Sequence, residues 1–232
     1  MGKKEVSLYE KEQKALDSAL KRELSAGVVK ETASLIPFFG GLMVEWMPSA
    51  YRYFKSSSFL DFISGFGLKI DGEKIKKRDI EKLSKKLEKF GNYKYMSAVL
   101  DGVFFSKSAL SRIILGIICA TYIEEPTIPY EDMIIITALK DTLDEELIKF
   151  VSIYENAKKH DASHNGGKGA FYFEYNPEDT LTNTTFFKFK SNNLIGTFED
   201  PSMIVGNLPV KIPGVITSIS EKLYYYIMKA RK

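Results

Sequence analysis

The densest run of apolar positions in the chain lies between Ser106 and Ile123. The apolar residues that recur at spacings of three, four and seven are Ala109, Leu110, Ile113, Ile114, Ile117 and Ile118, and Leu115 and Cys119 widen the stripe past one face. A helix that is apolar nearly all round is usually buried. Ser106 or Ser108 can cap its start, and Pro126 stands just beyond its end. The pattern predicts a central helix around which its neighbours pack.

Helical periodicity also dominates the rest of the first two thirds of the chain. The predicted helices are Val6–Ser34, Leu42–Phe54, Ser58–Phe66, Ile75–Phe90, Tyr93–Phe105, Met133–Leu139 and Asp144–Lys159, with a turn at Asp71-Gly72. The first of these carries a narrow apolar stripe, which suits one partner helix of the same chain or of another subunit. The Lys-rich face of Ile75–Phe90 could bind phosphates, although its interleaved glutamates favour a solvated surface.

The pattern changes after residue 159. The stretch 160–169, His-Asp-Ala-Ser-His-Asn-Gly-Gly-Lys-Gly, has the polar, glycine-rich composition of a linker. The predicted elements beyond it are a strand at Ala170–Tyr175, a short helix or strand at Asn183–Asn193, extended segments at Leu194–Phe198 and Val210–Ile216, and a last helix at Ile219–Lys229. The sequence thus predicts a mainly α protein: a helical bundle at 1–159, a linker at 160–169 and a small α/β domain at 170–232.

Charge is distributed in three blocks. The net charge is only +3, which does not by itself indicate a nucleic-acid partner. Residues 1–120 carry a net +7, residues 121–180 a net −8 and residues 181–232 a net +4. Such a chain can fold so that its blocks attract one another, or it can present separate basic faces.

Residues with catalytic or metal-binding chemistry are few. The single cysteine, Cys119, lies in the most apolar helix and is expected to be a buried structural thiol in a cytoplasmic protein. His160 and His164 are four apart, but the glycine-rich stretch around them lacks the glutamate of the zinc-binding helix pattern. Gly166–Gly169 does not match a phosphate-binding loop. We therefore expect no catalytic residue, metal or cofactor site, and no apolar run approaches the roughly 20 residues that span a bilayer.

The order of elements after residue 170 resembles the second half of a winged-helix domain. In that family a recognition helix precedes a two-stranded wing, and a capped helix follows the second wing strand; here Thr217 or Ser218 would cap the last helix, with Glu221 completing a capping box. The stretch Pro177–Leu181 is short for the first part of a helix-turn-helix. The resemblance implies either protein docking or DNA contact. The implied DNA contacts are Thr184, Lys188, Lys190, Asn192 and Asn193, with lysines on phosphates and asparagines at base edges.

The helical part, over residues 30–155, resembles bacterial and prophage proteins of the Abi-alpha (abortive infection) type. The residues that carry this resemblance are Pro-Phe-Phe-Gly-Gly at 37–41, the basic stretch 75–90, Ser-Lys-Ser-Ala-Leu-Ser-Arg before the apolar run, and the Leu-Lys-Asp-Thr-Leu-Asp-Glu-Glu-Leu order at 139–147. The resemblance implies a phage-associated, intracellular role without an assigned enzymatic activity.

Three functions follow as expectations. The first is a non-enzymatic interaction protein whose helical body binds a protein partner or a second copy of itself. The second is a DNA-binding regulator that uses its C-terminal winged-helix-like part. The third is association with a membrane surface through Phe38 and Phe39 or through the first helix.

Overall fold

The structure, a computed structural model, describes residues 56–73, 93–122, 129–159, 168–198 and 211–231. These residues form a mainly helical protein with one small antiparallel sheet. The elements are α1 (Ser56–Glu73), α2 (Tyr93–Phe105), α3 (Ala109–Thr121), α4 (Tyr130–Leu139), α5 (Asp144–Lys159), β1 (Ala170–Glu174), α6 (Thr180–Ser191), β2 (Lys211–Val215) and α7 (Ser218–Ala230). Among these helices, none has the length and apolar character that crossing a membrane requires.

Several predicted features lie outside the described residues. They are the helices Val6–Ser34, Leu42–Phe54 and Ile75–Phe90, the pair Phe38 and Phe39, and the histidines of the predicted linker. Among the helices that the structure describes, the predicted bounds of α2 and α5 are confirmed. The turn predicted at Asp71-Gly72 is wrong, because α1 continues through both residues to Glu73. A glycine near a helix end costs only about 1 kcal/mol, which longer-range packing can outweigh.

The first compact unit of the chain takes in α1, α2 up to residue 104 and the part of α3 that begins at Arg112. The prediction that α3 is buried is confirmed, since Ile114, Ile117 and Cys119 have no exposed surface. Burial raises the pKa of the Cys119 thiol to about 12, as expected for a structural thiol.

Two glycines set how closely α1 approaches α3 in this unit. A Cβ added at Gly65 would lie 1.8 Å from the Ile113 carbonyl oxygen, and one at Gly116 would lie 2.0 Å from the Phe62 carbonyl oxygen. Backbone therefore packs directly on backbone at this crossing. Beside it, Arg112 donates from Nε to Asp61 Oδ2 at 2.8 Å, so an ion pair also joins the two helices.

The second compact unit comprises residues 105–111 together with α4, α5, α6, α7 and the sheet. Helix α5 packs against α6, α7 and β1, and α7 also packs against α4. Aromatic rings fill the interior: Phe150 lies 5.0 Å from Phe189, and Phe173 stacks on Phe186 at 4.0 Å between centroids. Helices on both sides of the predicted linker thus share one core, so this unit does not follow the predicted division into 1–159 and 170–232.

The sheet pairs β1 with β2, with Ala170 opposite Val215 and Glu174 opposite Lys211. Within the described residues, the extended segments predicted on either side of the turn-rich stretch pair at an isolated bridge between Gly196 and Val215. Val215 therefore has a partner on each side, β1 on one and Gly196 on the other. The stretch 199–210 between them lies outside the described residues.

Side chains cap the starts of α3 and α7. Ser108 Oγ accepts from the Ser111 backbone N–H at 2.8 Å and contacts Asp144, so Ser108 is the observed cap of α3. At α7, Thr217 and Ser220 form a reciprocal capping box. The box predicted between Ser218 and Glu221 is wrong, because the helix begins one residue too early for it; Glu221 instead pairs with Lys158.

Candidate functional site

Lys188, one of the predicted nucleic-acid contacts, lies on α6, and its ammonium group binds other groups of the same protein. Its Nζ donates to Glu146 Oε2 at 2.7 Å and also contacts the backbone carbonyl of Asp141. Glu146 is buried, with 7% of its side chain exposed, and the same oxygen accepts from the Leu143 backbone N–H at 2.8 Å. Lys188 therefore neutralises a buried carboxylate at the start of α5.

Lys190, two residues further along α6, has a looser environment. Its Nζ lies 3.3 Å from the Pro213 carbonyl oxygen and 5.9 Å from the centre of the Phe186 ring. These contacts direct the Lys190 ammonium toward the sheet of its own unit.

The two asparagines form the C-terminal cap of α6. Asn193 has a φ of 58°, and its backbone N–H donates to the Lys190 carbonyl while the Leu194 N–H donates to the Phe189 carbonyl at 2.8 Å. This pair of bonds is the Schellman motif, in which asparagine is an accepted substitute for glycine at the left-handed position. Asn192 is the preceding cap residue. The presence of both asparagines thus has a structural explanation.

Thr184 is the predicted site residue that lies on the outward side of α6. This outward surface, called the α6 face below, consists of Leu181, Thr184, Phe187 and the neighbouring Tyr175. Leu181 and Phe187 are 38% and 45% exposed, and the Tyr175 and Phe187 rings lie 6.5 Å apart. The α6 face carries no charged side chain. The five predicted residues thus lie on α6 or in its C-terminal cap, but they do not form one cationic surface.

A groove lies beside this helix, between α5 and β1. Its volume is about 650 Å³, within the range of small-molecule sites. The residues that line it are Lys149, Ser152, Ile153, Asn156, Ala157, Phe171, Tyr172, Phe173, Glu174, Asp179, Thr182 and Lys211. Ile153, Ala157, Phe171 and Phe173 are largely buried and supply apolar surface.

Four charged side chains border the groove in two ion pairs. Lys149 Nζ lies 3.6 Å from Asp179 Oδ2, and Lys211 Nζ lies 3.7 Å from Glu174 Oε1. Asp179 is also the N-cap of α6, and it accepts hydrogen bonds from the backbone N–H and the hydroxyl of Thr182. These bonds lower the pKa of Asp179, which keeps its carboxylate ionised.

A third polar cluster is buried between α4 and α7. Asp132 Oδ1 accepts from Tyr226 Oη at 3.1 Å and lies 3.0 Å from Lys222 Nζ. Burial raises the pKa of Asp132, although Lys222 and Tyr226 oppose that shift. The Asp132 carboxylate binds both the Lys222 ammonium and the Tyr226 hydroxyl, which indicates that the cluster has a structural role.

The sequence predictions include neither the groove nor the Asp132 cluster. Lys149, Glu174 and Lys211 have no distinctive local spacing. The pairing of β1 with β2 brings Glu174 and Lys211 together, and the packing of α5 against β1 adds Lys149. Among the described residues, no group of three or more His, Cys, Asp and Glu side chains could hold a metal ion.

Comparison with known proteins identifies no relative: no protein-family model, curated protein or solved structure matches the chain.

Proposed function

We propose that the chain is a non-enzymatic interaction protein that docks on a protein partner through the α6 face. The observation that carries this proposal is the internal pairing of Lys188 with buried Glu146, beside an outward surface that is neutral and partly aromatic. Exposed aromatic side chains are typical anchors of protein interfaces. A surface that read DNA would instead need cations directed at phosphates.

We further propose a winged-helix-like arrangement for this part of the second unit. The pairing of β2 with β1 and the bridge from Val215 to Gly196 support it, since both are expected when a strand from before the helix joins a wing. Only α6 stands between β1 and the bridge, where the family has two helices. A single helix in that position favours docking on a protein over base recognition in a groove of duplex DNA.

DNA binding through α6 is the weaker alternative. The +4 charge of residues 181–232 favours it, but the contacts of Lys188 and Lys190 oppose it. Membrane attachment through Phe38 and Phe39 and a phage-associated, cytoplasmic role both stay predictions that rest on the sequence alone.

Site-specific photo-crosslinking tests the proposal. A photoreactive phenylalanine analogue would replace Phe187, and the matched control would carry it at Tyr225, an aromatic residue on α7 that is 52% exposed. We expect a discrete protein adduct from position 187 in cells that express the chain, and none from position 225.

The nature of the adduct separates the alternatives. An adduct with twice the chain mass, obtained with purified protein, would identify a second copy as the partner. A nuclease-sensitive adduct would favour DNA, and the absence of any adduct from position 187 would contradict docking through the α6 face.

A further inference from the structure

The groove between α5 and β1 combines charges of both signs with an apolar interior. We propose that it binds a small zwitterion: a molecule that carries an ammonium and a carboxylate group beside an apolar group, as free amino acids and short peptides do. This site is separate from the α6 face, and the proposal does not depend on docking there.

The charges around the groove favour a zwitterion over a simple ion. Lys149 and Lys211 are matched in number by Asp179 and Glu174, so a purely anionic or purely cationic ligand gains no net attraction. A zwitterion can place its carboxylate near a lysine and its ammonium near Asp179 or Glu174. Each ligand charge then has a partner of opposite sign.

A ligand can replace the ion pairs around the groove at a small cost in free energy. Their N–O distances of 3.6 and 3.7 Å exceed the 2.7–2.9 Å of close charge-assisted hydrogen bonds. The side chains are also partly exposed, with 35% for Lys149 and 68% for Glu174, and such pairs contribute little to stability. A ligand that separates the paired side chains therefore breaks only weak interactions, and breaking them subtracts little from its binding free energy.

The remaining lining residues suit the rest of such a ligand. Phe171, Phe173 and Ile153 offer apolar surface to a side chain, and Ser152 and Asn156, exposed on α5, can donate and accept hydrogen bonds. Asp179 is held in place by its two bonds to Thr182, so one anionic group of the site is already oriented before a ligand arrives.

Calorimetric titration with a defined panel tests the proposal. The probes are phenylalanine, the tripeptide Gly-Phe-Gly, N-acetylphenylalanine and phenylalaninamide. We expect at least one of the two zwitterions to bind, and the analogue that lacks either charge to bind about tenfold more weakly, since a hydrogen bond to a charged group is worth about that factor. The stronger of the two zwitterions distinguishes a free amino acid from a short peptide.

Variants locate the binding in the groove. Ser152→Trp should fill the groove and abolish binding, whereas Lys159→Trp, at the exposed end of the same helix, should leave binding unchanged. Asn156→Trp is a second groove-filling variant for use if the first does not fold. Equal binding by the blocked analogues, unchanged binding by the folded groove-filling variant, or no binding of either zwitterion at millimolar concentration would overturn the proposal.

Discussion

At the scale of single residues, two lysines of similar appearance in the sequence have different roles. Lys188 and Lys190 both read as surface cations of a short helix. The structure brings Lys188 to the buried Glu146 carboxylate at 2.7 Å, while Lys190 has only longer contacts. Sequence alone could not separate the two, because Glu146 precedes Lys188 by 42 residues and no local pattern links them.

This difference predicts unequal effects on stability. Lys188→Met should lower the free energy of unfolding by about 2–3 kcal/mol, because it leaves a buried carboxylate without its charged donor. Lys190→Met should cost less than about 1 kcal/mol, since its contacts are weaker. Urea unfolding followed by circular dichroism would measure both. Equal losses for the two variants would contradict a structural role specific to Lys188.

The buried Asp132 predicts a dependence of stability on pH. Burial raises its pKa in the folded state above the unfolded value, so the folded protein binds this proton more tightly. The resulting stabilisation is complete below the unfolded pKa and is lost as pH rises through the folded pKa. The negative charge of Glu131, the preceding residue, raises the pKa of Asp132 further, while Lys222 and Tyr226 oppose the shift.

Asp132→Asn removes this titration and keeps an oxygen that can accept from Tyr226. Relative to the wild type, the variant should therefore become more stable as pH rises from acid to neutral. Urea midpoints of both proteins at several pH values would give the difference. A difference that moves the opposite way with pH would show that the ion pair with Lys222 outweighs burial.

At the scale of elements, local signals predicted most helices and missed how they approach one another. The bounds of α5 follow from its acidic start and basic end, and the burial of α3 follows from its dense apolar run. The crossing of α1 and α3 depends on Gly65 and Gly116, which are 51 residues apart. Nothing near either glycine in the sequence indicates that it faces a backbone carbonyl of the other helix.

This crossing predicts unequal outcomes for a glycine at the crossing, Gly116, and a glycine outside it, Gly102 on α2. Gly116→Ala should destabilise the first unit by about 3 kcal/mol, because the new Cβ would meet the Phe62 backbone, which cannot move without separating the helices. In Gly102→Ala the new Cβ would meet the side chain of Leu115, whose two terminal methyls lie 2.8 and 3.4 Å away. That side chain can shift, and the gain in helix propensity of about 1 kcal/mol offsets the contact.

Cys119 provides the measurement, since it is buried in the same unit and its pKa of about 12 suppresses reaction with thiol reagents. Gly116→Ala should speed labelling of Cys119 by a disulfide reagent in native buffer, and Gly102→Ala should leave it near the wild-type rate. If both variants label at the wild-type rate, the helices do not depend on direct backbone contact.

At the scale of the whole molecule, the acidic block 121–180 and the basic block 181–232 pair with one another where the structure describes them. Three cations of the basic block 181–232 pair with carboxylates of the acidic block 121–180: Lys188 with Glu146, Lys211 with Glu174 and Lys222 with Asp132. Of the two arrangements that the charge pattern allows, mutual attraction is the one observed for these blocks. The predicted linker at 160–169 suggested a domain boundary, but long-range pairing and the aromatic core join both sides, and composition alone cannot reveal such contacts.

The ion pair of Lys188 with Glu146, and the contacts of Lys190 with the Pro213 carbonyl and the Phe186 ring, predict that the cations of α6 add nothing to any affinity for DNA. The double variant Lys188→Met/Lys190→Met, checked for folding by circular dichroism, should bind duplex DNA with the wild-type dependence on salt. Each phosphate contact contributes about 0.9 to the slope of log K against log salt concentration. Two lost contacts would therefore lower the slope by about 2.

Fluorescence anisotropy at several salt concentrations measures this slope, and a variant with Met at both Lys159 and Lys168 controls for the change in net charge. A slope smaller by about 2 in the α6 variant alone would support DNA binding by this helix. Equal slopes in all three proteins would mean that Lys188 and Lys190 make no phosphate contacts, and the neutral, aromatic α6 face would then be the surface through which the helix acts.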